Sequence, residues 1–151
     1  MFSPRTGKIV RVFKDQGERR LASNMATMMQ HAMPPDWVFD AIVHVPATKA
    51  AYRRRGFDHA ELIARSLSYR TGVKLVGGRA RPKTHDQRKL SGAQRVENLI
   101  GSFAARPDAC YGRRVLLVDD VYTTGATLCA ATDALLAAGA REVRCLTFAR
   151  V

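Results

Sequence analysis

Between Val115 and Thr127 the chain reads Val-Leu-Leu-Val-Asp-Asp-Val-Tyr-Thr-Thr-Gly-Ala-Thr. Four apolar residues run into two adjacent acids, Asp119 and Asp120. After Val121 and Tyr122 come five small or hydroxyl-bearing residues, Thr123, Thr124, Gly125, Ala126 and Thr127, at the start of an alanine-rich helical stretch. Small side chains let backbone N–H groups approach a phosphate, hydroxyls add donors, and the start of a helix adds the positive end of its dipole. Two carboxylates would repel a phosphate placed on them. One short turn away, they suit sugar hydroxyls or a hydrated Mg²⁺. Phosphate donors beside hydroxyl acceptors fit a ribose 5-phosphate group. An Asp-Asp pair or a Thr-Thr-Gly turn alone is more often only a cap; the order of all thirteen residues is what carries the reading.

These residues need elements to hold them. Apolar residues at Leu21, Met25, Met28, Met29 and Ala32 have helical spacing, and Pro34-Pro35 ends that helix, drawn over about 18–33. The methionines Met25, Met28, Met29 and Met33 read as core filling rather than a cofactor box. Ala41 to Val45 is a strand-length apolar run closed by Pro46, after which a loop is expected. Asp58 to Tyr69 is helical with Gly72 as its cap, and Val73 to Val76 is a short strand candidate. A short helix from Ser91 to Asn98 and a strand from Gly101 to Ala104 are expected next. Val115 to Val118 is a strand, Gly125 to Ala138 a helix stopped by Gly139, and Glu142 to Ala149 the last strand. Unbroken apolar strands alternating with helices predict an α/β fold with a parallel sheet buried on both faces. Ligands in such sheets lie beyond the carboxyl ends of the strands at a switch point, which singles out the loops after Val45 and Val118.

The chain has 151 residues and a formal charge of +12. Thirteen Lys/Arg against four Asp/Glu fall between residues 41 and 100, so three quarters of the excess lies there, most densely at Arg53-Arg54-Arg55. Such a bias suggests an anionic partner: phosphate, nucleic acid or acidic lipid. No apolar run reaches membrane-spanning length, so no membrane insertion is expected. Met1 to Arg11 lacks a signal-peptide core, so a cytoplasmic location is expected. The three cysteines, Cys110, Cys129 and Cys145, make neither a disulfide framework nor a Cys-x-x-Cys zinc site, and read as buried structural thiols. His44 reads as a core or sheet residue, and His31 and His59 as helix-surface residues. Arg53-Arg54-Arg55 is either a solvated face or part of an anion site.

The thirteen-residue order resembles the phosphoribosyl pyrophosphate (PRPP) motif of type I phosphoribosyltransferases. Farther up the chain, Arg53-Arg54-Arg55-Gly56-Phe57-Asp58-His59-Ala60-Glu61-Leu62 and the later Arg81, Thr84, Gln87, Leu90-Ser91, Arg95, Asn98 and Gly101-Ser102-Phe103 look like the ComF family of competence-associated proteins. Lys14, Gly17 and Leu21-Ala22 resemble the helix that precedes that family's first strand. The family tends to have Arg-Gly-Phe-Asn-Gln where this chain has Arg55-Gly56-Phe57-Asp58-His59. Many of its members begin with a four-cysteine zinc module, which these three cysteines do not supply.

The resemblance implies a type I phosphoribosyltransferase fold over residues 1–151: a mostly parallel central β-sheet flanked by helices, with a small hood and a mobile loop near 79–90. It implies that Asp119 and Asp120 are the catalytic acids, holding ribose hydroxyls or Mg²⁺, and that Thr123, Thr124, Gly125, Ala126 and Thr127 hold the 5-phosphate. Ala47, Thr48 and Lys49 would hold pyrophosphate, in a loop that often contains a cis non-proline peptide. Lys83, His85, Arg88 and Lys89 are the mobile-loop candidates for reaching the pyrophosphate. Two functions follow. One is a Mg²⁺-dependent phosphoribosyltransferase using PRPP and an unidentified nitrogen acceptor. The other is a non-catalytic module that binds PRPP or nucleic acid in DNA uptake, with single-stranded DNA or the uptake machinery as its partner. A second copy of the chain, forming a homodimer, is a further candidate partner.

Overall fold

A computed structural model describes residues 20–77 and 109–150. Helix α1, Leu21–Ala32, buries Ala22, Met25, Ala26 and Met29, the three- and four-residue spacing that gives one apolar stripe. Met28 lies off that stripe and is exposed. Strand β1 is Ala41–His44, buried at every position. Two helices follow, α2 (Lys49–Arg55) and α3 (His59–Thr71). Strand β2 is Arg114–Tyr122, α4 is Ala126–Ala137 and β3 is Glu142–Arg150.

The strands form a parallel sheet in the order β1-β2-β3. Ala41 aligns with Val115 and His44 with Val118; across the other edge of β2, Asp119 aligns with Thr147. The expected strand Val73–Val76 is reduced to one parallel bridge between Leu75 and Ile42, held by Ile42 N–H to the Lys74 carbonyl (3.0 Å) and Val76 N–H to the Ile42 carbonyl (2.8 Å). That bridge still fixes the topology. From β1 the chain first crosses through α3 to one side, then returns to place β2 on the other. The switch point therefore lies between β1 and β2.

Alternation along the strands sorts the core into two layers. Ile42, Leu116, Val118 and Leu146 pack with α1 and α3, against Met25, Met29, Ile63 and Leu67. Val43, Val45, Val115 and Leu117 pack on the opposite face with Leu128, Ala131 and Leu135 of α4. Arg70 Nε donates to Gln30 Oε1 (2.7 Å), joining α3 to α1 at the surface. Burial on both faces explains why Val115 to Val118 is apolar without a break.

Two boundaries differ from the sequence expectation. The stretch after Pro46 is a loop only as far as Thr48. Thr48 Oγ1 accepts the Ala51 N–H (3.2 Å) and starts α2, which carries Arg53, Arg54 and Arg55 in its last turn and stops at Gly56 (φ 75°). Strand β2 does not end at Val118 but runs through both acids to Tyr122, because β3 keeps pairing with it as far as Arg150. The expected elements at 91–98 and 101–104, and the loop 79–90 with Lys83, His85, Arg88 and Lys89, lie outside the described residues. Among the described residues no peptide bond is cis, the 45–49 stretch included, and no helix is long and apolar enough to cross a membrane.

Candidate functional site

At the carboxyl ends of β1 and β2 lies a cleft of about 200 Å³ lined by Ala47, Thr48, Ala51, Arg55, Asp58, His59, Ala60, Asp119 and Asp120. The switch point puts it there: β1 and β2 hand their chains to helices on opposite faces, leaving a gap between the two exits. Four elements thus meet around one space.

Asp119 and Asp120 are both buried, at 2% and 7% exposure. As neighbours on a strand they face opposite sides of the sheet. Asp119 shares the side of Val115 and Leu117, toward α4. Asp120 shares the side of Leu116 and Val118, toward α3. Asp119 Oδ1 accepts the Asp120 N–H at 2.9 Å, which orients its carboxylate at the strand end.

The turn after β2 is built around Gly125. Its φ is 79°, and a Cβ there would meet Tyr122 Oη at 2.5 Å and the Tyr122 ring carbons at 2.8 Å. Only glycine combines that backbone with that contact. Tyr122 therefore folds its ring down onto the turn, and the Arg150 guanidinium sits 5.1 Å from the ring centroid. No side chain caps α4 through Gly125. Thr124 Oγ1 accepts the Ala126 N–H at a long 3.4 Å. Thr123, Thr124 and Ala126 are exposed, Thr127 is half-buried and Gly125 is buried, so the turn's threonines reach the protein surface while its centre does not.

The opposite wall is organised by Asp58. Its Oδ1 accepts the Glu61 N–H (3.2 Å) and caps α3; its Oδ2 accepts the Ala47 N–H (2.5 Å) and pins the β1–α2 loop. His44 Nε2 lies 3.9 Å from the same Oδ2, and its buried Nδ1 has no hydrogen-bond partner among the described residues. Burial pushes the His44 pKa down, against the opposing pull of Asp58, so His44 is neutral near pH 7. His44 is the buried sheet residue that its mid-strand place suggests.

His59 departs from expectation. It is 3% exposed and lines the cleft instead of lying on a helix surface. Arg55 Nη1 lies 3.3 Å from His59 Nδ1, and the Phe57 ring stands edge-on to the imidazole at 4.8 Å between centroids. The sequence carried a signal in its Gly56-Phe57 pair: the left-handed Gly56 turns the chain sharply, tucking Phe57, Asp58 and His59 inward. The cysteines divide as well. Cys110 is buried with its thiol pKa raised by burial, whereas Cys129 and Cys145 are exposed.

The cleft thus gathers Asp119 and Asp120 with Ala47 and Thr48 of the predicted pyrophosphate loop. Lys49 is the first residue of α2 rather than part of the loop. The Gly125 turn adjoins the acids along the chain but lies outside the cleft lining.

A three-layer α/β domain with two acids at the switch point and a glycine-centred turn beyond them is the architecture of type I phosphoribosyltransferases. The phosphoribosyl transferase domain family matches residues 51–151, and the chain belongs to that family. Within it the chain is of the ComF kind. It is 34% identical over 115 residues to competence protein F of Haemophilus influenzae, covering 74% of this chain and 50% of that protein. It is 32% identical over 112 residues to competence protein ComFC of Bacillus subtilis, covering 70% and 41%. The chain spans half or less of these relatives. Adenine phosphoribosyltransferase from Thermoanaerobacter pseudethanolicus superposes with a TM-score of 0.53 at 17% identity over 90% of this chain and 83% of that one, a likeness of fold alone.

Proposed function

We propose that this domain binds PRPP with Mg²⁺ and transfers its 5-phosphoribosyl group to a nitrogen acceptor. The acceptor's lone pair forms the new C–N bond at the anomeric carbon while the C–O bond to pyrophosphate breaks. Pyrophosphate leaves with the bonding pair, and the acceptor nitrogen gives up a proton. Catalysis is then chiefly positioning and stabilisation of charge on the sugar and the leaving group. The observation that carries this reading is the pair of buried acids at the end of β2, one short turn from the uncapped, glycine-centred start of α4.

Asp119 and Asp120 are assigned to the ribose hydroxyls and to Mg²⁺, and Thr123 to Thr127 to the 5-phosphate. Thr48 and Lys49 are assigned to the pyrophosphate. The donor set fits a hard cation. Three carboxylates (Asp58, Asp119 and Asp120) line the cleft with one guanidinium, so a pyrophosphate entering alone meets net repulsion. Among the described residues no three metal-binding side chains converge into a closed cage. An ion there would be held by one or two carboxylates plus substrate oxygens and water. When bound, Mg²⁺ would neutralise charge on the leaving pyrophosphate.

Calorimetric titration with PRPP, with and without Mg²⁺, tests this. Binding should require Mg²⁺ and weaken at least about a hundredfold in the Asp119→Asn/Asp120→Asn variant, as loss of two charge-assisted contacts implies. Equal binding by both proteins overturns it.

A second reading keeps PRPP binding without turnover, in a module that serves DNA uptake. It draws on the exposed Arg53 and Arg54 beside the cleft and on the competence names of the relatives. A gel-shift salt series with single-stranded DNA tests it: backbone binding weakens steeply with salt, and PRPP should compete if the sites overlap.

A further inference from the structure

Asp58 lines the cleft beside Ala47 and Thr48, at 7% exposure. Its Oδ2 holds the Ala47 N–H at 2.5 Å and its Oδ1 holds the Glu61 N–H at 3.2 Å, so both oxygens are fixed in place. An anion that reaches this loop finds one backbone donor already taken and a carboxylate beside it. The groups around Asp58 do little to offset that charge. Arg65 is paired with Glu61 at 2.6 Å. His44, with Nε2 3.9 Å from Oδ2, is buried and neutral near pH 7. Arg55, the one guanidinium in the cleft lining, faces Asp119 and Asp120 as well as Asp58. Yet the start of α3 does not call for a charge, because asparagine and serine cap a helix about as well as aspartate does. The charge at this position exceeds what the fold requires.

We propose that Asp58 is a specificity residue for the charge state of the ligand: it turns away metal-free pyrophosphate and admits the Mg²⁺ complex. The inference takes its ligand from the PRPP reading, and its test separates the two. Mg²⁺ on the pyrophosphate oxygens lowers the ligand's net negative charge, and with it the repulsion from Asp58. The free anion meets that repulsion whole, in a cleft walled by protein where charges are poorly screened. Asparagine and serine each keep one acceptor oxygen, enough to cap α3, and neither carries the charge. Two neutral side chains of different shape should therefore relax the discrimination alike.

The experiment is calorimetric titration of wild type, Asp58→Asn and Asp58→Ser with pyrophosphate in EDTA, with Mg²⁺-pyrophosphate and, separately, with ribose 5-phosphate. Melting temperatures are measured alongside. Metal-free pyrophosphate should bind both variants about tenfold or more tighter than wild type, as removal of one nearby like charge implies. Mg²⁺-pyrophosphate should stay within about threefold. Ribose 5-phosphate affinity should be unchanged, because the Gly125 turn lies outside the cleft lining. Metal-free affinity unchanged in both variants, or an equal gain for ribose 5-phosphate, overturns the proposal. So does a loss of Mg²⁺-pyrophosphate affinity beyond about tenfold, which would make Asp58 a ligand of the cation instead. If one variant does not fold, the other decides the matter by the same three affinities. Wild type that binds Mg²⁺-pyrophosphate but not ribose 5-phosphate refutes the PRPP reading and leaves this proposal standing. Pyrophosphate that binds none of the three proteins in either form overturns the proposal, whatever ribose 5-phosphate does.

Discussion

Of the helices that begin at the carboxyl edge of this sheet, α3 and α4 have their first turns finished in opposite ways. At α3, Asp58 gives one carboxylate oxygen to the Glu61 N–H and the other to the Ala47 N–H. At α4 the cap position is Gly125, and no side chain is supplied. A helix start leaves up to four N–H groups without helical partners, and something must take them. Where the protein's own carboxylate takes one of them and also holds Ala47, its charge disfavours an anion and the adjoining loop is locked. Where glycine stands, the cap position offers no side chain, and the long 3.4 Å contact from the Ala126 N–H to Thr124 Oγ1 is the weaker substitute. The same backbone geometry thus serves as a structural joint on one wall and as a candidate phosphate turn on the other.

The sharpest way to break the contrast is Gly125→Val. The new side chain would start 2.5 Å from Tyr122 Oη on a backbone with φ of 79°. Strain of this kind costs about 1–3 kcal/mol, read as a lower urea midpoint. Displacement of the turn should lower ribose 5-phosphate affinity by about a hundredfold or more, the loss of at least two charge-assisted contacts. Unchanged affinity would mean that the turn is not the phosphate site.

Asp58→Ala attacks the other joint. It strips a cap and leaves the Ala47 N–H without its partner, which together should cost about 2–4 kcal/mol in chemical denaturation. Asp58→Asn keeps an acceptor oxygen and should cost about 1 kcal/mol. Ribose 5-phosphate affinity should hold in the asparagine variant, because α4 is untouched. If it falls as far as in Gly125→Val, the two helix starts are not independent.

The two walls also differed in how plainly the sequence announced them. The α4 wall was legible because its chemistry is local: strand, acids, turn and helix follow one another within thirteen residues, and the alternation that separates Asp119 from Asp120 is a property of any strand. The α3 wall depends on contacts that close across the loop, Ala47 to Asp58 and Arg55 to His59, which no periodicity encodes. Arg53 to Arg55 read as a charge run because α2 has only seven residues, too few for an apolar stripe to show. His59 read as a surface residue because the inward turn at Gly56 is a backbone event. The same limit reduced Val73–Val76 to a single bridge, since its apolar pattern fixes composition but not how far pairing extends.

Acid should affect the α3 wall through a mechanism of its own. His44 is buried beneath it, faced by Asp58, Glu61 and Arg65, and burial holds its pKa below the ordinary value. The unfolded chain therefore takes up the proton first. Stability is full above about pH 6.5 and falls as pH drops below it, by at most about 1.4 kcal/mol per pH unit for one group. Urea midpoints of wild type and His44→Gln between pH 8 and 5 should show a shallower slope in the variant. Parallel slopes would remove His44 from the account.

The smallest expected effect lies at the amino edge of the sheet, away from both walls. Asp40 accepts from Arg114 N–H (3.0 Å), Nε (3.0 Å) and Nη2 (2.7 Å), tying the start of β1 to β2. These bonds, the side-chain ones foremost, hold its carboxyl well below the usual carboxylate range. Because the folded pKa is the lower one, the pair stabilises above about pH 4 and is lost as pH falls through the folded value. The groups are exposed, so the contribution should be slight and should shrink with added salt. Asp40→Asn should lower the melting temperature slightly at pH 7 and low salt, and leave ribose 5-phosphate affinity at the wild-type value. A loss of that affinity would mean that strand register, set at the amino edge, governs the geometry of both walls, and that their contrast is not a local matter of how each helix begins.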